Sequence, residues 1–182
     1  MLSYAKGAAM AALLSLAASS ANAALITLES RSYPDPGGIP AAGQYIATWD
    51  SLAPGTENSI ADFSGVKTGN DRFSRLSIVF ELGSVGQILF DFGLDAAWGA
   101  AAYFNGVLAA ERREDLWWSN SYGNSDVLSL DLALNLGESN TLDVYWGENC
   151  CNGTQSARFS TDGGQSFEGL STANLEAAAL HH

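Results

Sequence analysis

The chain has 182 residues, a formal charge of −12 at pH 7, two cysteines and two histidines. A protein this acidic repels nucleic-acid phosphates and anionic membrane surfaces, so neither is expected as a partner. Both histidines are terminal, His181 and His182, so the body of the chain can build no Ser-His-Asp triad, Cys-His dyad or His-ligated zinc site.

Residues 1–23 read as an export leader. Lys6 supplies a positive start, Ala8 to Ala18 is an apolar run, and Ala21-Asn22-Ala23 has the small-x-small pattern of a signal-peptidase site. The run is too short to span a bilayer comfortably, and no second hydrophobic segment follows. Cleavage after Ala23 leaves one β-rich domain over 24–170, long enough for a single core. Residues 171–182, ending Leu175-Glu-Ala-Ala-Ala-Leu-His-His, read as a native tail or as the remnant of an expression tag, and they are set aside from the fold.

In chain order, Leu25 to Ser30 alternates as a first strand. Arg31 to Gly43 holds three of the four prolines and is an extended loop. Gln44 to Trp49 is a second strand candidate, Asp50 to Gly55 a turn, Ile60 to Phe63 a weak edge strand, and Gly65 to Asp71 a loop. Over Phe73 to Leu82, Leu76, Ile78, Phe80 and Leu82 share one face, which predicts a strand buried on one side. Gln87 to Phe92 repeats that pattern less cleanly. Ala100 to Phe104 and Val107 to Ala110 flank Asn105-Gly106, a strong hairpin signal because both turn positions require positive φ. Val127 to Leu136 and Thr141 to Trp146 alternate again, the latter with Leu142, Val144 and Trp146 inward and Thr141, Asp143 and Tyr145 outward. Gln155 to Ser160 and a short piece near Phe167 finish the domain around the Asp162-Gly163-Gly164 turn. No helix of ten or more residues is expected after the leader. Short strands joined by Gly, Asn and Asp turns predict an all-β fold, an antiparallel, jelly-roll-like β-sandwich.

Four constellations carry possible chemistry. Cys150 and Cys151 are adjacent, and after export they meet an oxidising compartment. Consecutive Cα atoms lie about 3.8 Å apart, against the usual disulfide span of roughly 4.4–6.8 Å, so a bond between them closes a very small ring. Such a ring encloses almost no chain, and its effect is local: a rigid turn showing an apolar sulfur surface. That turn is either a stiff corner or part of a binding site, and thiols paired between chains are a third reading. Two neighbouring thiolates alone make a poor soft-metal site. Next, Asp115-Leu-Trp-Trp-Ser-Asn-Ser-Tyr-Gly-Asn-Ser-Asp126 places Trp117 and Trp118 on opposite faces of extended chain. One is expected in the core and the other near the surface. Beside Tyr122 and Asn124, an exposed indole suits the C–H face of a sugar ring, with Glu148 and Asn149 supplying hydrogen bonds; the same residues also suit an ordinary core and rim.

The turns holding Asp91, Asp95 and Asp126 are oxygen-rich enough for a structural Ca²⁺, although none has the spacing of an EF-hand loop. No other cofactor is expected. Finally, a glycosidase needs only two carboxylates, and Asp91, Glu111, Glu114, Asp115 and Glu148 are candidates whose separation the sequence does not give.

Three segments together carry a resemblance: Gly93 to Ala110 with its Asn-Gly hairpin, Asp115-Leu-Trp-Trp118, and Trp146-Gly-Glu-Asn-Cys-Cys-Asn-Gly-Thr-Gln-Ser-Ala-Arg-Phe-Ser160. The chain resembles the CCXG group of PEP-CTERM exported bacterial proteins over residues 73–168, the label describing Cys150-Cys151-Asn152-Gly153 here. The resemblance implies a secreted or surface-displayed protein of bacteria that make exopolysaccharide, with no assigned activity. The Pro-Glu-Pro, membrane helix and basic cluster that define the sorting segment are not in this sequence, so anchoring is not carried over.

The function expected is an exported, non-enzymatic binding module for carbohydrate, such as matrix polysaccharide. A self-associating extracellular matrix protein is the alternative, and a carboxylate-based glycosidase a further one.

Overall fold

The computed structural model describes residues 23–34, 37–83 and 85–180, so the expected leader before Ala23 and the two histidines lie outside the described residues. Along the chain run β1 (Leu25–Ser32), α1 (Tyr45–Ser51), β2 (Thr56–Ser59), β3 (Arg72–Phe80), β4 (Gln87–Gly93) and β5 (Asp95–Ala96). They are followed by β6 (Ala100–Phe104), β7 (Val107–Arg112), β8 (Leu116–Trp117) and β9 (Leu128–Ala133). β10 (Asn140–Glu148), β11 (Ser156–Ser160), β12 (Glu168–Gly169) and α2 (Thr172–Leu180) complete the order. Six strands form one sheet in the order β2-β1-β3-β10-β6-β7, four form a second in the order β12-β11-β4-β9, and β5 and β8 make a short ribbon.

Period-two alternation builds the interior. Leu76, Ile78 and Phe80 of β3 and Leu142, Val144 and Trp146 of β10 face Phe90 and Phe92 of β4, Leu128, Leu130 and Leu132 of β9 and Phe159 of β11, and all are buried. The Phe80 and Phe90 rings meet across the two layers with centroids 5.8 Å apart. Burying each such side chain stabilises by about 1.5–3 kcal/mol, so this double layer supplies the main driving force. The protein is an all-β sandwich. The hairpin between β6 and β7 turns at Asn105 (φ 48°) and Gly106 (φ 79°), the positive pair that a tight two-residue turn needs.

The expected strand at Gln44 to Trp49 is instead helix α1. Tyr45, Ala47 and Trp49 alternate, but Tyr45 and Trp49 are also four apart, and a short apolar run fits both periods. What decides is the outer face of the six-stranded sheet. There Phe73, Ala101, Tyr103 and Tyr145 form a second buried cluster that takes Tyr45 and Trp49 as its cover. Tyr145, expected to point to solvent, is therefore buried. Ala101 of β6 leaves room for α1 on this face, and Tyr45 Oη donates to Trp98 O at 2.9 Å. β2 carries no alternation at all, being exposed throughout, and pairs with β1 through the backbone. Residues 171–180, part of the tail set aside from the fold on sequence grounds, contribute to it: α2 buries Leu175 in the main core.

Candidate functional site

The site forms where β10 leaves the sandwich. Glu148 has the same parity as Leu142, Val144 and Trp146, so the alternation that fills the core also turns this carboxylate inward, and only 2% of it is exposed. Beyond it the chain cannot continue as strand. Cys150 and Cys151 are joined by a vicinal disulfide, Cα atoms 3.8 Å apart, and Cys151 (φ 73°) and Asn152 (φ 45°) both adopt the left-handed region. Two such residues in succession reverse the chain sharply. Asn152 Oδ1 accepts from Gly69 N at 2.9 Å, which ties the turn to the neighbouring loop.

The ribbon of β5 and β8 forms the opposite wall, with Asp95 directly across from Trp117. Asp95 locks the ribbon to the cysteine turn. Its carboxylate accepts from Gly153 N at 2.6 Å, and its backbone N–H donates to Gln155 Oε1 at 2.7 Å. Gly153 has to be glycine for reasons of space, because a Cβ there would overlap the Asp95 carboxylate. Leu116 is buried behind the ribbon, whereas Trp117 is 64% exposed. The result is a cavity of about 500 Å³ lined by Asp95, Asp115, Trp117, Glu148, Asn149 and the disulfide.

Glu148 accepts from Cys150 N at 2.7 Å and from Ala97 N at 3.4 Å. Desolvation nevertheless dominates, and with the nearby Asp95 charge it pushes the Glu148 carboxyl up to about 7. Burial also raises Asp95, with the Asp115 charge adding to it, against the lowering effect of the Gly153 N–H. Near neutrality Glu148 is therefore partly protonated, its charged form disfavoured by burial and by the Asp95 carboxylate.

No known family model matches the chain, and no curated protein matches it in sequence. Solved structures do. A PA14 sugar-binding domain from an RTX adhesin superposes with a TM-score of 0.58 at 12% identity, over 82% of this chain and 96% of that one. The epithelial adhesin 9 A domain from Candida glabrata, solved in complex with Galβ1-3GlcNAc, gives a TM-score of 0.57 at 11% identity, over 81% and 87%. A β-glucosidase from Kluyveromyces marxianus, in complex with glucose, gives 0.52 at 12% identity, matching 74% of this chain but 15% of that chain. The chain shares a β-sandwich fold with the PA14 domain. At these identities the likeness is one of fold.

Within that sandwich the structure gathers some of the residues singled out from the sequence and separates others. Trp117, Glu148, Asn149, Cys150 and Cys151 line one cavity, together with Asp95 and Asp115. Trp118 does not: it is buried, and its Nε1 donates to Thr154 O at 2.7 Å. Tyr122 packs on Trp118, with centroids 5.0 Å apart, and holds the Arg158 guanidinium on its other contacts. Asn124 shapes its own loop, accepting from Asp126 N at 2.9 Å and donating to Trp117 O at 3.2 Å. These three support the Trp117 wall without reaching the cavity. The reason is the backbone at Ser119 and Asn120, both at φ 55°, which turns the chain away after Trp118.

The three aspartates considered for Ca²⁺ have separate partners. Asp91 is paired with Arg158 at 2.8 Å, Asp95 serves the cysteine turn, and Asp126 accepts from Trp117 N at 3.2 Å. Among the described residues, no group of three or more His, Cys, Asp or Glu side chains is disposed to hold a metal ion. Asp115, which opens the Trp117–Trp118 segment, reaches the cavity because it directly precedes β8.

Proposed function

We propose that the chain is an exported carbohydrate-binding module and that the sugar occupies the cavity between Trp117 and the vicinal disulfide. The observation that carries this is the largely exposed Trp117 indole standing beside Glu148, Asn149 and Asp115 in a cavity of about 500 Å³. A sugar ring presents an apolar C–H face and a rim of hydroxyls, and such a wall takes the first while carboxylates and amides take the second. The disulfide ring holds the far side rigid, which lowers the entropic cost of binding. Structures of the same fold named as a sugar-binding adhesin domain, or solved with Galβ1-3GlcNAc, support the reading. The disulfide itself fits an oxidising, exported setting, and the CCXG resemblance points the same way. Binding is favoured over hydrolysis because the Asp95 and Glu148 carboxylates are already committed to backbone N–H groups, of Gly153 and of Cys150, that hold the cysteine turn. A glycan array followed by calorimetry tests it: Trp117→Ala abolishes binding, and absence of binding by the native chain at millimolar sugar refutes the reading.

A second reading rests on β7. This strand closes one edge of the six-stranded sheet and exposes Val107 (70%) and Leu108 (42%). Such an edge supports self-association in an extracellular matrix. Light scattering at high concentration decides it, monomeric behaviour counting against it.

A further inference from the structure

The charge of the cavity narrows the class of sugar. Every charged side chain lining it is acidic, namely Asp95, Asp115 and Glu148. The cations nearest in sequence or register are engaged elsewhere. Arg113 donates to Pro40 O at 3.1 Å, Arg112 is bonded to Glu114 and approaches Asp126 at 4.0 Å, and Arg72, opposite Glu148 across the β3–β10 pairing, lines a different cavity. Neutral sugars need no such concentration of negative charge, and uronic acids are repelled by it.

We propose that the preferred ligand is a glycan of amino sugars carrying free ammonium groups, such as a de-N-acetylated hexosamine oligomer, with the ammonium set among Asp95, Asp115 and Glu148. The proposal rests on the sugar-binding reading above. The cavity, the indole and the disulfide ring make the site, and the carboxylates select among sugars. An ammonium supplies the positive partner that the part-buried Asp95 and the buried Glu148 lack among the described residues. Trp117 adds to the same preference. Its exposed face attracts a cation through the ring quadrupole as well as packing on C–H groups. An N-acetyl group on the same nitrogen removes the charge and adds bulk.

The test is calorimetry on the full chain at about pH 7 in EDTA, with glucosamine oligomers, N-acetylglucosamine oligomers and galacturonate oligomers of equal length. The expected result is binding of the glucosamine oligomer about tenfold more tightly than its N-acetylated counterpart, the equivalent of about 1.4 kcal/mol, and no binding of the galacturonate. The gap narrows in Asp115→Asn and at high salt, and it persists in Glu138→Gln, an exposed carboxylate on a distant loop. Equal affinity for the amine and N-acetyl oligomers overturns the inference and leaves the sugar-binding reading in place. Amine binding that is indifferent to both Trp117→Ala and Asp115→Asn is adsorption of a polycation to an acidic surface, and it also overturns the inference. Failure of every oligomer to bind removes both.

Discussion

Glu148 makes a pH-dependent contribution whose sign and size follow from its position. Its ordinary value is 4.5 and burial pushes it up to about 7. Between those values the folded protein holds a proton that the unfolded chain has released. Stability from this group is therefore fully present below pH 4.5 and is lost as pH rises through about 7. At 1.36 kcal/mol per unit the loss is about 3 kcal/mol. Asp95, also raised, adds in the same sense beginning above 3.8. Glu29 and Asp162 are lowered, so their contributions change below 4.5 and 3.8 and do not overlap this window. Glu148→Gln keeps an acceptor oxygen for the Cys150 N–H and removes the titration. Urea unfolding of both proteins at about pH 4.5, 6 and 8 reads the effect, because general charge repulsion cancels in the difference. The native chain is expected to lose about 3 kcal/mol more than the variant between the two ends of that range. Parallel stability curves for the two proteins would refute the reasoning.

Trp118→Ala lowers stability by about 3–5 kcal/mol in denaturant unfolding, since a buried indole and its hydrogen bond to Thr154 are lost, whereas Trp117→Ala leaves the unfolding midpoint nearly unchanged. Gly153→Ala forces the cysteine turn off the Asp95 carboxylate, costing about 1–3 kcal/mol, and it removes sugar binding in the calorimetric assay. Replacing both Cys150 and Cys151 with Ser changes global stability by less than about 1 kcal/mol, because the bond closes no loop of chain. Intact mass with and without reductant checks the bond itself. The native protein is expected two hydrogens lighter than its reduced form, and free alkylation before reduction would contradict it.

The sandwich was legible because its strands are buried on one face, and β3, β9 and β10 state that in their alternation. The outer face of the six-stranded sheet was not legible in the same way. Whether Tyr145 meets water depends on α1, whose short apolar run reads equally as strand, and the choice between them is made by Phe73, Ala101 and Tyr103 from distant parts of the chain. For the site, Glu148, Asn149 and the cysteines came from one contiguous stretch and stay together in space. Asp95 and Asp115 reach them through a ribbon of two residues on each side, too short to leave a periodic signal. The parity of β10 was the one available clue to the buried carboxylate, since it places Glu148 in line with Trp146. Trp118, Tyr122 and Asn124 adjoin Trp117 in sequence and diverge from it in space because the chain turns at Ser119 and Asn120.

The adjacency of the two cysteines also bears on how this turn can change by mutation. Both residues are exposed, and the chain has no other cysteine. Replacing either one alone leaves a surface thiol with no intramolecular partner, which in an oxidising medium joins two molecules. Replacing both leaves the sandwich with a looser loop. A single substitution is thus more disruptive than the double, so a lineage losing this motif must cross an intermediate worse than either end, and the pair is expected to be kept or lost together.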